Sequence, residues 1–550
     1  MARLLIIPVV LLALLTGAMI WSRGDAQPRA DFVYVNQDEV GTLDPRGMSW
    51  TQDLRLSYAL WEGLWRLDPV SMKPVPGTAD RIELSPDRRT YTLHIRENAR
   101  WSNGDPVLAG DFVFAWRRML EQPGNYGYLF HYVEGAQRYK QAFADNAPCD
   151  FEAVGIRAVD PHTLRVTLAH PVVFFADLGA LPPFFPMHEP SMRKFHVVDS
   201  ATGRVSYDAR FTRPPNLVTN GPYRLEAWEF RRKIRLVASD HYWNKAAVKC
   251  RTIDVLNFSD ARTALLKYET GGVDWLSEIN DIDASDLIAR GRTDVHVFPG
   301  FGTSFYALNC LPRLPDGRSN PLADVRVRRA LVMAIDKRPI VQNVARLNQP
   351  IATSFVPPGA FEHYIPPAGS PFDPKQARGL LAEAKHAGGE GLSTLSILYN
   401  ESTENALVAQ IIRKQWLDTL GVRAELSPIE AKIFRHRVRT RNYDLSRASW
   451  VGDYNDVSTF LDKFRSDSDN NQTGWSNPRY DQLCQRAAEE PDLRRRLQLY
   501  REAEQILCDE APIIPLYHYV SCYLYRDNVR GLALDPRGML MFHALEVRRP

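Results

Sequence analysis

The chain has 550 residues, which is too long for one compact core and predicts two or three domains. Hydrophobic residues make up 45% of it and charged residues 24%, the ordinary composition of a soluble globular protein. Its 68 basic and 65 acidic side chains leave a net charge of only +3. This balance lacks the cationic excess of nucleic-acid-binding proteins, so no nucleic acid is expected among the partners.

The N-terminal segment has the layout of an export signal. Arg3 precedes an almost unbroken apolar run over residues 4–20, and Gly24 and Ala26 are the small residues that an export peptidase requires. We therefore expect residues 1–26 to be a signal peptide and the protein to be periplasmic. A membrane anchor retained in the same segment is the alternative. No cysteine lies near the segment, so lipid attachment there is not expected.

Four segments of the chain are predicted to be strands. The predicted strands cover residues 31–35, 90–96, 159–168 and 223–228. In the second of them Tyr91, Leu93 and Ile95 alternate with polar residues, which is typical of a strand buried on one face.

Helices are predicted between and after these strands. They begin at Asp111, Asp324, Ser402 and near Leu493. The third has Leu407, Ile411 and Leu417 at helical spacing and ends at Gly421. Because helices and strands are mixed throughout, the sequence predicts an α/β fold.

Motifs of known catalytic and metal sites are missing from the sequence. It contains no GxSxG elbow, no HExxH helix, no Walker loop and no GxGxxG fingerprint. The cysteines form no CxxC pair, and a disulfide between Cys484 and Cys508 and buried free thiols both remain open. We therefore expect no catalytic residue, no metal and no cofactor.

A set of short segments follows a fixed order along the chain. The segments are Glu39–Pro45, Trp61–Leu64, Tyr91–Arg96, Trp101–Val107, Asp111–Phe114, Thr219–Tyr223, Asp324–Arg328 and Ala511–Tyr519. Together they resemble the peptide/nickel family of extracellular solute-binding proteins, which serve ABC importers. Within that family, Trp450-Val-Gly-Asp-Tyr-Asn-Asp456 followed by Ser458–Leu461 is most similar to the periplasmic oligopeptide-binding proteins. The resemblance covers nearly all of residues 32–530.

This resemblance implies where a peptide binds. Asp453 matches the carboxylate that holds the α-ammonium group of the peptide, and such a charge-assisted bond rejects ligands that lack the amine. Tyr519 and Asn470 match positions at the same end of the peptide. The segment Ser449–Val451 and the stretch around Thr51 match extended segments that pair with the peptide main chain, as in β-augmentation.

Further positions bear on the length and side chains of the ligand. Trp450 is expected to form the wall of a side-chain pocket. Arg447 matches a position that neutralises the C-terminal carboxylate of a peptide. Asn405 stands where the family has a histidine, and Ala431 stands where it has a tryptophan. These departures leave peptide length and side-chain preference open, and a roomier pocket near Ala431 is one hypothesis.

The resemblance also implies a two-lobed periplasmic-binding-protein-like fold with an extra small domain in the first lobe. The main domain of lobe one is expected over residues 27–62, 187–302 and 520–550, the extra domain over 63–186 and lobe two over 303–519. The chain is expected to cross between the lobes near Gly302 and Val520. A ligand that contacts both lobes would close them.

The function implied is that of the substrate-binding component of an ATP-driven peptide importer. Its expected partners are short peptides and the permease subunits, with the protein a monomer that contacts the membrane through the permease or a retained N-terminal segment. A murein peptide, an opine, a sugar or a nickel chelate are alternative ligands for the same fold. Two other classes of protein remain as alternatives. An envelope hydrolase would convert its ligand to products, whereas a binding protein returns it unchanged, and a chaperone-like binder would prefer unfolded proteins to short peptides.

Overall fold

The structure is a computed structural model that describes residues 28–549, except residues 37, 49, 123, 125, 259 and 533–537. The signal peptide or anchor predicted for residues 1–26 lies outside the described residues. The strands are β1 (Phe32–Val35), β2 (Trp65–Leu67), β3 (Pro74–Pro76), β4 (Ala79–Leu84), β5 (Thr90–Ile95), β6 (Ile156–Asp160), β7 (Thr163–Thr167), β8 (His196–Val198), β9 (Val205–Tyr207), β10 (Tyr223–Glu229), β11 (Lys233–Ala238), β12 (Thr252–Leu256), β13 (Trp275–Leu276), β14 (Val295–Leu308), β15 (Leu395–Asn400), β16 (Ala424–Ile429), β17 (Leu445–Val451), β18 (Ile513–Tyr525), β19 (Val529–Arg530) and β20 (Glu546–Val547).

Helices alternate with these strands along the chain. They are α1 (Thr51–Leu60), α2 (Ala109–Glu121), α3 (Ala136–Ala144), α4 (Phe175–Gly179), α5 (Glu189–Met192), α6 (Ala261–Glu269), α7 (Asp281–Ala289), α8 (Val325–Met333), α9 (Arg338–Ile340), α10 (Pro374–Glu383), α11 (Thr403–Leu420), α12 (Ala431–Arg439), α13 (Ser458–Leu461), α14 (Pro478–Glu489) and α15 (Leu493–Glu510). None of the helices in the described part of the chain combines the length and the apolar composition needed to cross a bilayer.

One sheet of ten strands runs through the whole molecule. Its order is β10-β11-β12-β1-β13-β18-β14-β17-β15-β16. β1 lies parallel between β12 and β13, and β15 lies parallel between β16 and β17. The long antiparallel strands β14 and β18 join these two parts at the centre of the sheet. This mixed architecture confirms the predicted α/β fold.

The buried apolar side chains form separate cores on the two sides of the molecule. The largest core takes nearly all its residues from 32–275 and 523–545. Two further cores take theirs from 306–517 and from 301–513. β14 and β18 contribute to both sides, so the chain passes between two lobes on these strands, as the predicted two-lobed fold requires. The exact domain boundaries stay a prediction.

β14 crosses between the lobes at two glycines. A Cβ atom on Gly300 would lie 2.7 Å from the carbonyl oxygen of Tyr519, and one on Gly302 would lie 2.6 Å from that of Trp450. Only glycine permits such a close approach of backbones. The pairing register of β14 with β18 also shifts at this crossing. The predicted hinge positions, Gly302 and Val520, lie here, and movement about them stays a prediction.

A smaller sheet of order β4-β5-β7-β6 lies within the region predicted as the extra domain. Tyr91, Leu93 and Ile95 of β5 are buried, as their alternation predicted. The single strand predicted over residues 159–168 is wrong. Pro161 and His162 form a turn, and the residues on either side belong to the antiparallel strands β6 and β7. A hairpin turn of two residues interrupts the β pattern too briefly to be read from composition.

The helix predicted from Ser402 to Gly421 is α11, but its predicted apolar face is wrong. The Ser402 side chain accepts a hydrogen bond from the amide of the third helical residue, and Gly421 ends the helix with a φ of 69°. Leu407 and Leu417 are 42% and 52% exposed. The buried stripe is Val408, Ala409, Ile412, Trp416 and Leu420. The bulkiest residue, Trp416, sets this face, since its indole donates to the Leu331 carbonyl at 3.0 Å.

The cysteines carry free thiols. Cys484 is buried in α14 and Cys508 is half-buried in the neighbouring α15, without a disulfide between them. Of the two possibilities that the sequence left open, the structure therefore shows free thiols.

Candidate functional site

Two cavities lie side by side in the cleft between the lobes, and both contact Thr51 and Val451. The first has a volume of about 350 Å³, and we call it the apolar cavity. Its walls include Trp50, Tyr58, Tyr126, Leu129, Pro182 and Met539 from lobe one and Trp450 and Asp453 from lobe two. The second has a volume of about 260 Å³, and we call it the polar cavity. Its walls include Arg55, Ser277, Glu278, Asp281, Tyr519 and Tyr523.

Helix α1 supplies one wall to both cavities. Its N-cap residue is extended, and Thr51 is its first residue. Leu54 and Tyr58 lie three and seven positions further on, on one face, and both line the apolar cavity. Arg55 lies on the neighbouring face and lines the polar cavity. The extended segment predicted around Thr51 therefore ends at Trp50, because Thr51 is already the first residue of a helix.

The last residues of β17 form an open edge of the central sheet. β17 pairs with β14 along its whole length, from Leu445 to Val451. On its other side, in the described part of the chain, β15 pairs only with Leu445 and Ser446. The residues of β17 that follow Ser446 therefore have a neighbouring strand on one side only.

Strand alternation shows which backbone groups face the open edge. The amide of Gly452 donates to the carbonyl of Phe301 in β14 at 2.8 Å. Successive residues of an antiparallel strand direct their N–H and C=O groups to opposite sides. Val451 and Ser449 therefore direct theirs away from β14, toward the open edge. This segment is extended, as the sequence predicted.

Asp453 is the second residue after β17 and is the one charged residue among the described residues that line the apolar cavity. The hydroxyl of Tyr128, from lobe one, donates to the Asp453 carboxylate at 2.5 Å. The amide of Asp453 donates to Thr459 Oγ1 at 2.7 Å. Next to it, the rings of Phe174 and Tyr454 stack across the cleft with centroids 5.3 Å apart. These contacts join the two lobes, so the structure shows a closed arrangement.

The indole of Trp450 is fixed from two sides. Its Nε1 donates to the Thr459 carbonyl at 2.7 Å, and the Lys463 ammonium lies 4.5 Å from its ring centroid. The same ammonium donates to the Asn470 carbonyl at 2.9 Å. Burial lowers the pKa of Lys463 to about 8, and the nearby Asp453 opposes that shift. Trp450 therefore presents a rigid face to the apolar cavity.

Arg55 is the fixed cation of the polar cavity. It is 1% exposed and donates to Asn36 Oδ1 at 2.6 Å, to Ser277 Oγ at 3.1 Å and to the Gly538 carbonyl at 3.0 Å. Its guanidinium carbon lies 5.1 Å from the ring centroid of Trp275. All three acceptors are uncharged, so these bonds hold the side chain in place without neutralising it.

Two carboxylates accompany this cation. Desolvation and, to a lesser extent, the neighbouring Glu404 raise the pKa of Asp281 to about 6, against the opposing effect of a hydrogen bond from Gln349 Nε2 at 2.9 Å. Desolvation also raises the pKa of Glu278, and Arg55 opposes it. The polar cavity therefore combines one fixed guanidinium with two carboxyl groups whose pKa values are raised.

The structure brings most of the predicted site residues to these cavities. Thr51 and Val451 line both, Trp450 and Asp453 line the apolar cavity and Tyr519 lines the polar cavity. Ser449 lies on the open edge of β17 beside them.

Other predicted residues line neither cavity. Arg447 lies opposite Tyr306 in the sheet. Asn470 reaches the site only through its carbonyl, which accepts from Lys463. The side chain of Asn405 donates to the Asn400 carbonyl at 3.0 Å, and Ala431 is the first residue of α12.

Sequence reasoning missed most of the lobe-one side of the site. Tyr128, which binds Asp453, and Trp50, Arg55 and Tyr126 of the cavity walls were not singled out. The aromatic run over residues 126–132 was the signal in the sequence that could have drawn attention to this region.

Two lobes joined by paired crossing strands, with cavities between them, define the class of extracellular solute-binding proteins. Residues 73–472 match the family described as bacterial extracellular solute-binding proteins, family 5, middle. The chain therefore belongs to this family, which is made up of binding proteins.

Known relatives cover almost the whole chain. It is 31% identical over 494 residues to the oligopeptide-binding protein OppA of Bacillus subtilis, an alignment that covers 88% of this chain and 86% of the relative. It is 30% identical over 505 residues to the periplasmic murein peptide-binding protein MppA of Escherichia coli, covering 91% of this chain and 89% of the relative.

Solved structures agree with the fold. The murein tripeptide-binding protein MppA of Escherichia coli has a TM-score of 0.78 and 29% identity, covering 95% of this chain and 99% of its own. Haemophilus influenzae OppA in complex with the peptide RPPGFSPFR has a TM-score of 0.76 and 27% identity, covering 95% and 100%.

Proposed function

We propose that this protein is the substrate-binding component of an ATP-driven importer of short peptides. Support comes from the family and from relatives and structural neighbours that are named for peptides. In this proposal the protein is periplasmic and monomeric, and it meets the membrane through the permease subunits or a retained N-terminal segment. It catalyses nothing and releases its ligand chemically unchanged.

The observation that carries the proposal is the position of Asp453 at the end of an open strand edge. Its carboxylate accepts from Tyr128 and lines the apolar cavity, and the residue stands two positions after the end of β17. An α-ammonium group forms a charge-assisted hydrogen bond with such a carboxylate. In a closed cleft the low dielectric strengthens that attraction. A ligand without the amine would keep the carboxylate away from water and lose this bond, which is costly.

The main chain of the ligand pairs with the open edge of β17. The outward N–H and C=O groups of Ser449 and Val451 add the peptide as a further strand, in the manner of β-augmentation. Thr51 faces the same ligand from lobe one, because it lines both cavities beside Val451. Main-chain hydrogen bonds carry no side-chain information, so this mode of binding tolerates many peptide sequences.

The remaining predicted residues surround the ligand main chain. Trp450 packs against a ligand side chain, and Tyr519 contacts the ligand from the polar cavity. Asn470 acts indirectly, since its carbonyl holds Lys463 beneath Trp450. Arg447 stands two positions before Ser449, on the same face of β17, so it is placed to meet the carboxylate of a ligand that extends along the open edge.

Closure brings the extra domain against lobe two. We propose that lobe one (27–62, 187–302 and 520–550), its extra domain (63–186) and lobe two (303–519) move as units about Gly302 and Val520. The hydrogen bond from Tyr128 to Asp453 links the extra domain to lobe two in the closed form. A ligand that contacts both lobes stabilises this form by its differential contacts.

Mass spectrometry of the ligands that co-purify with the exported protein tests the proposal. The comparison is between wild type, Asp453→Asn and a matched control, Asp240→Asn, whose side chain is 81% exposed. We expect free-amine peptides on the wild type and the control and none on Asp453→Asn. Calorimetry should show binding of Ala-Ala-Ala-Ala but not of its N-acetylated form. The masses distinguish a murein peptide from other peptides.

A different result would overturn the proposed ligand or the class. A sugar, an opine or a nickel chelate that binds equally well to Asp453→Asn would retain the fold and refute peptide binding through Asp453. Conversion of an added peptide to products by the wild type would show an enzyme.

A further inference from the structure

We infer that the apolar cavity binds the side chain of the first residue of the ligand and selects peptides that begin with an aromatic or bulky apolar residue. This inference rests on the proposed function, because it takes the α-amino group of the ligand to lie at Asp453. It goes further by assigning a side-chain preference to one cavity.

The lining of the cavity favours an apolar occupant. Aromatic, aliphatic and proline side chains make up most of its surface, and Asp453 is its one charged residue in the described part of the chain. The volume of about 350 Å³ gives ample room for a ring, since an apolar cavity of about 150 Å³ already accommodates benzene. Burial of a large apolar side chain in such a cavity is favourable in proportion to the area removed from water.

The position of Asp453 assigns this cavity to the first residue. In a peptide the α-carbon is bonded to the terminal nitrogen, at about 1.46 Å, so an ammonium at Asp453 places the first side chain at the same wall. Successive side chains of an extended peptide point to opposite faces. The polar cavity meets the apolar cavity at Thr51 and Val451. A peptide that passes between these two residues therefore directs its second side chain toward the polar cavity.

Two indoles in the wall of the apolar cavity favour the binding of an aromatic side chain. Trp450 is held by Thr459 and lies over Lys463, so its face is preorganised. Trp50, which precedes the first residue of α1, is 58% exposed. An exposed tryptophan at the rim of a pocket is the kind of residue that contributes most when a ligand covers it.

Charged first residues are disfavoured by the same lining. An acidic side chain would meet the Asp453 carboxylate as a like charge in a low-dielectric site. A basic side chain would find only the carboxylate that already holds the α-ammonium, so its desolvation would go uncompensated. Small residues such as alanine or glycine would bind but would leave most of the cavity empty.

Isothermal titration calorimetry with a set of tetrapeptides tests the inference. The first series is Phe-Ala-Ala-Ala, Leu-Ala-Ala-Ala, Ala-Ala-Ala-Ala, Lys-Ala-Ala-Ala and Glu-Ala-Ala-Ala. The second moves phenylalanine to positions two, three and four. We expect Phe-Ala-Ala-Ala to bind about 10- to 100-fold more tightly than Ala-Ala-Ala-Ala, and the gain to be confined to position one. Lysine and glutamate at position one should bind more weakly than alanine.

A variant of the cavity wall sharpens the test. Leu54 is half-buried, lines the apolar cavity and packs against the lobe-one core with the rest of its side chain, so Leu54→Glu places a carboxylate in the cavity wall. We expect it to abolish the preference for phenylalanine and to favour lysine at position one. The matched control is Leu417→Glu, because Leu417 is 52% exposed on α11 and lines neither cavity. It should keep the wild-type preference, and circular dichroism checks that both variants fold.

The outcomes separate this inference from the proposed function. If no tetrapeptide binds, the proposed function itself fails. If all tetrapeptides bind with equal affinity, or phenylalanine is preferred at another position, peptide binding stands and the assignment of the apolar cavity is refuted. An unchanged preference for phenylalanine in Leu54→Glu also refutes it.

Discussion

The two cavities of the cleft share a boundary and differ in chemistry. Thr51 and Val451 belong to both, and the volumes are similar, about 350 and 260 Å³. Among the described residues, one is lined by rings, aliphatic chains and prolines around the carboxylate of Asp453, whereas the other contains the fixed Arg55 and the carboxylates of Glu278 and Asp281. The comparison shows how one extended backbone path can be combined with a different side-chain environment on each of its faces.

Affinity and selectivity for peptides are therefore expected to depend on different parts of the site. The open edge of β17 offers main-chain hydrogen bonds to any peptide, because backbone groups are the same in every residue. Selectivity then depends on the cavities, and each samples alternate residues of the ligand. We therefore expect substitutions on the shared strand to weaken all peptides alike, and substitutions in one cavity to change the preference at one position only.

The largest effect is expected from Val451→Pro. Proline has no N–H group and its ring occupies the space where the ligand backbone would pair. In β17 the Val451 amide faces the open edge, so the sheet loses none of its own bonds to β14. We expect calorimetry to show at least about a tenfold loss of affinity from the missing hydrogen bond and the steric clash, for Phe-Ala-Ala-Ala and Ala-Lys-Ala-Ala alike.

Val451→Ala is the control for this substitution. It shortens the side chain and keeps the amide, so it should bind both peptides nearly as well as the wild type. An equal loss in both variants would mean that the side chain, and not the backbone, makes the contact.

A smaller effect is expected from Tyr128→Phe. The variant removes the hydroxyl that donates to Asp453 across the cleft. A hydrogen bond to a charged group contributes about 1.5–3 kcal/mol, and water can replace part of it, so we expect about a tenfold loss of peptide affinity. The matched control is Tyr132→Phe, whose hydroxyl donates to Asp462, a residue that lines neither cavity. Equal losses in the two variants would indicate that lobe closure in general, and not Asp453, is affected.

Glu278→Gln isolates the polar cavity. The negative charge of Glu278 should favour lysine over norleucine as the second residue, in Ala-Lys-Ala-Ala against Ala-Nle-Ala-Ala. Because this side chain is accessible to solvent, although the surrounding cleft partly desolvates it, we expect the variant to reduce that preference only about two- to fivefold. The preference at the first residue should not change. Glu425→Gln, at an exposed position of β16, serves as the control. An unaltered preference for lysine in Glu278→Gln would remove this residue from the ligand site.

The smallest effect is a pH dependence confined to the polar cavity. Burial and Glu404 raise the pKa of Asp281 to about 6, so its carboxylate is charged above that pH and protonated below it. Charge on Asp281 favours a cationic second residue, and the preference for lysine should therefore fall, about twofold, as the pH decreases from 7.5 to 5.

The apolar cavity supplies the internal comparison for this titration. The preference for Phe-Ala-Ala-Ala over Ala-Ala-Ala-Ala compares two uncharged side chains and should stay constant over the same pH range. In Asp281→Asn the preference for lysine should depend less on pH. A pH dependence that persists unchanged in that variant would assign it to another group, of which Glu278 is the nearest candidate by its raised pKa.

Local signals in the sequence predicted the ends of helices better than their buried faces. Ser402 and Gly421 bound α11 as predicted, because a cap acts on backbone groups within one turn of it. The face of α11 was predicted wrongly, because leucines are found on exposed faces as well as in cores. The position of Trp416 against the Leu331 carbonyl decides which face is buried, and this contact spans 85 residues of sequence.

The residues of the candidate site also fall into two groups, those that the sequence identifies and those that only the structure reveals. Trp450, Val451 and Asp453 could be found from the sequence because they stand together in one motif whose order resembles a known family. Tyr128 could not, since its contact with Asp453 joins residues that are 325 positions apart. A search for motifs has no access to such a pair, because it compares neighbours along the chain.

The sequence by itself determined the family, the α/β fold and the short segment that carries Asp453, because these depend on motifs and on periodic patterns that are local to the chain. Only the tertiary structure decided which residues share a cavity, which edge of β17 is open and which lobe-one side chains face Asp453. These features arise when distant segments pack against one another, and packing depends on the shape and volume of every partner at once.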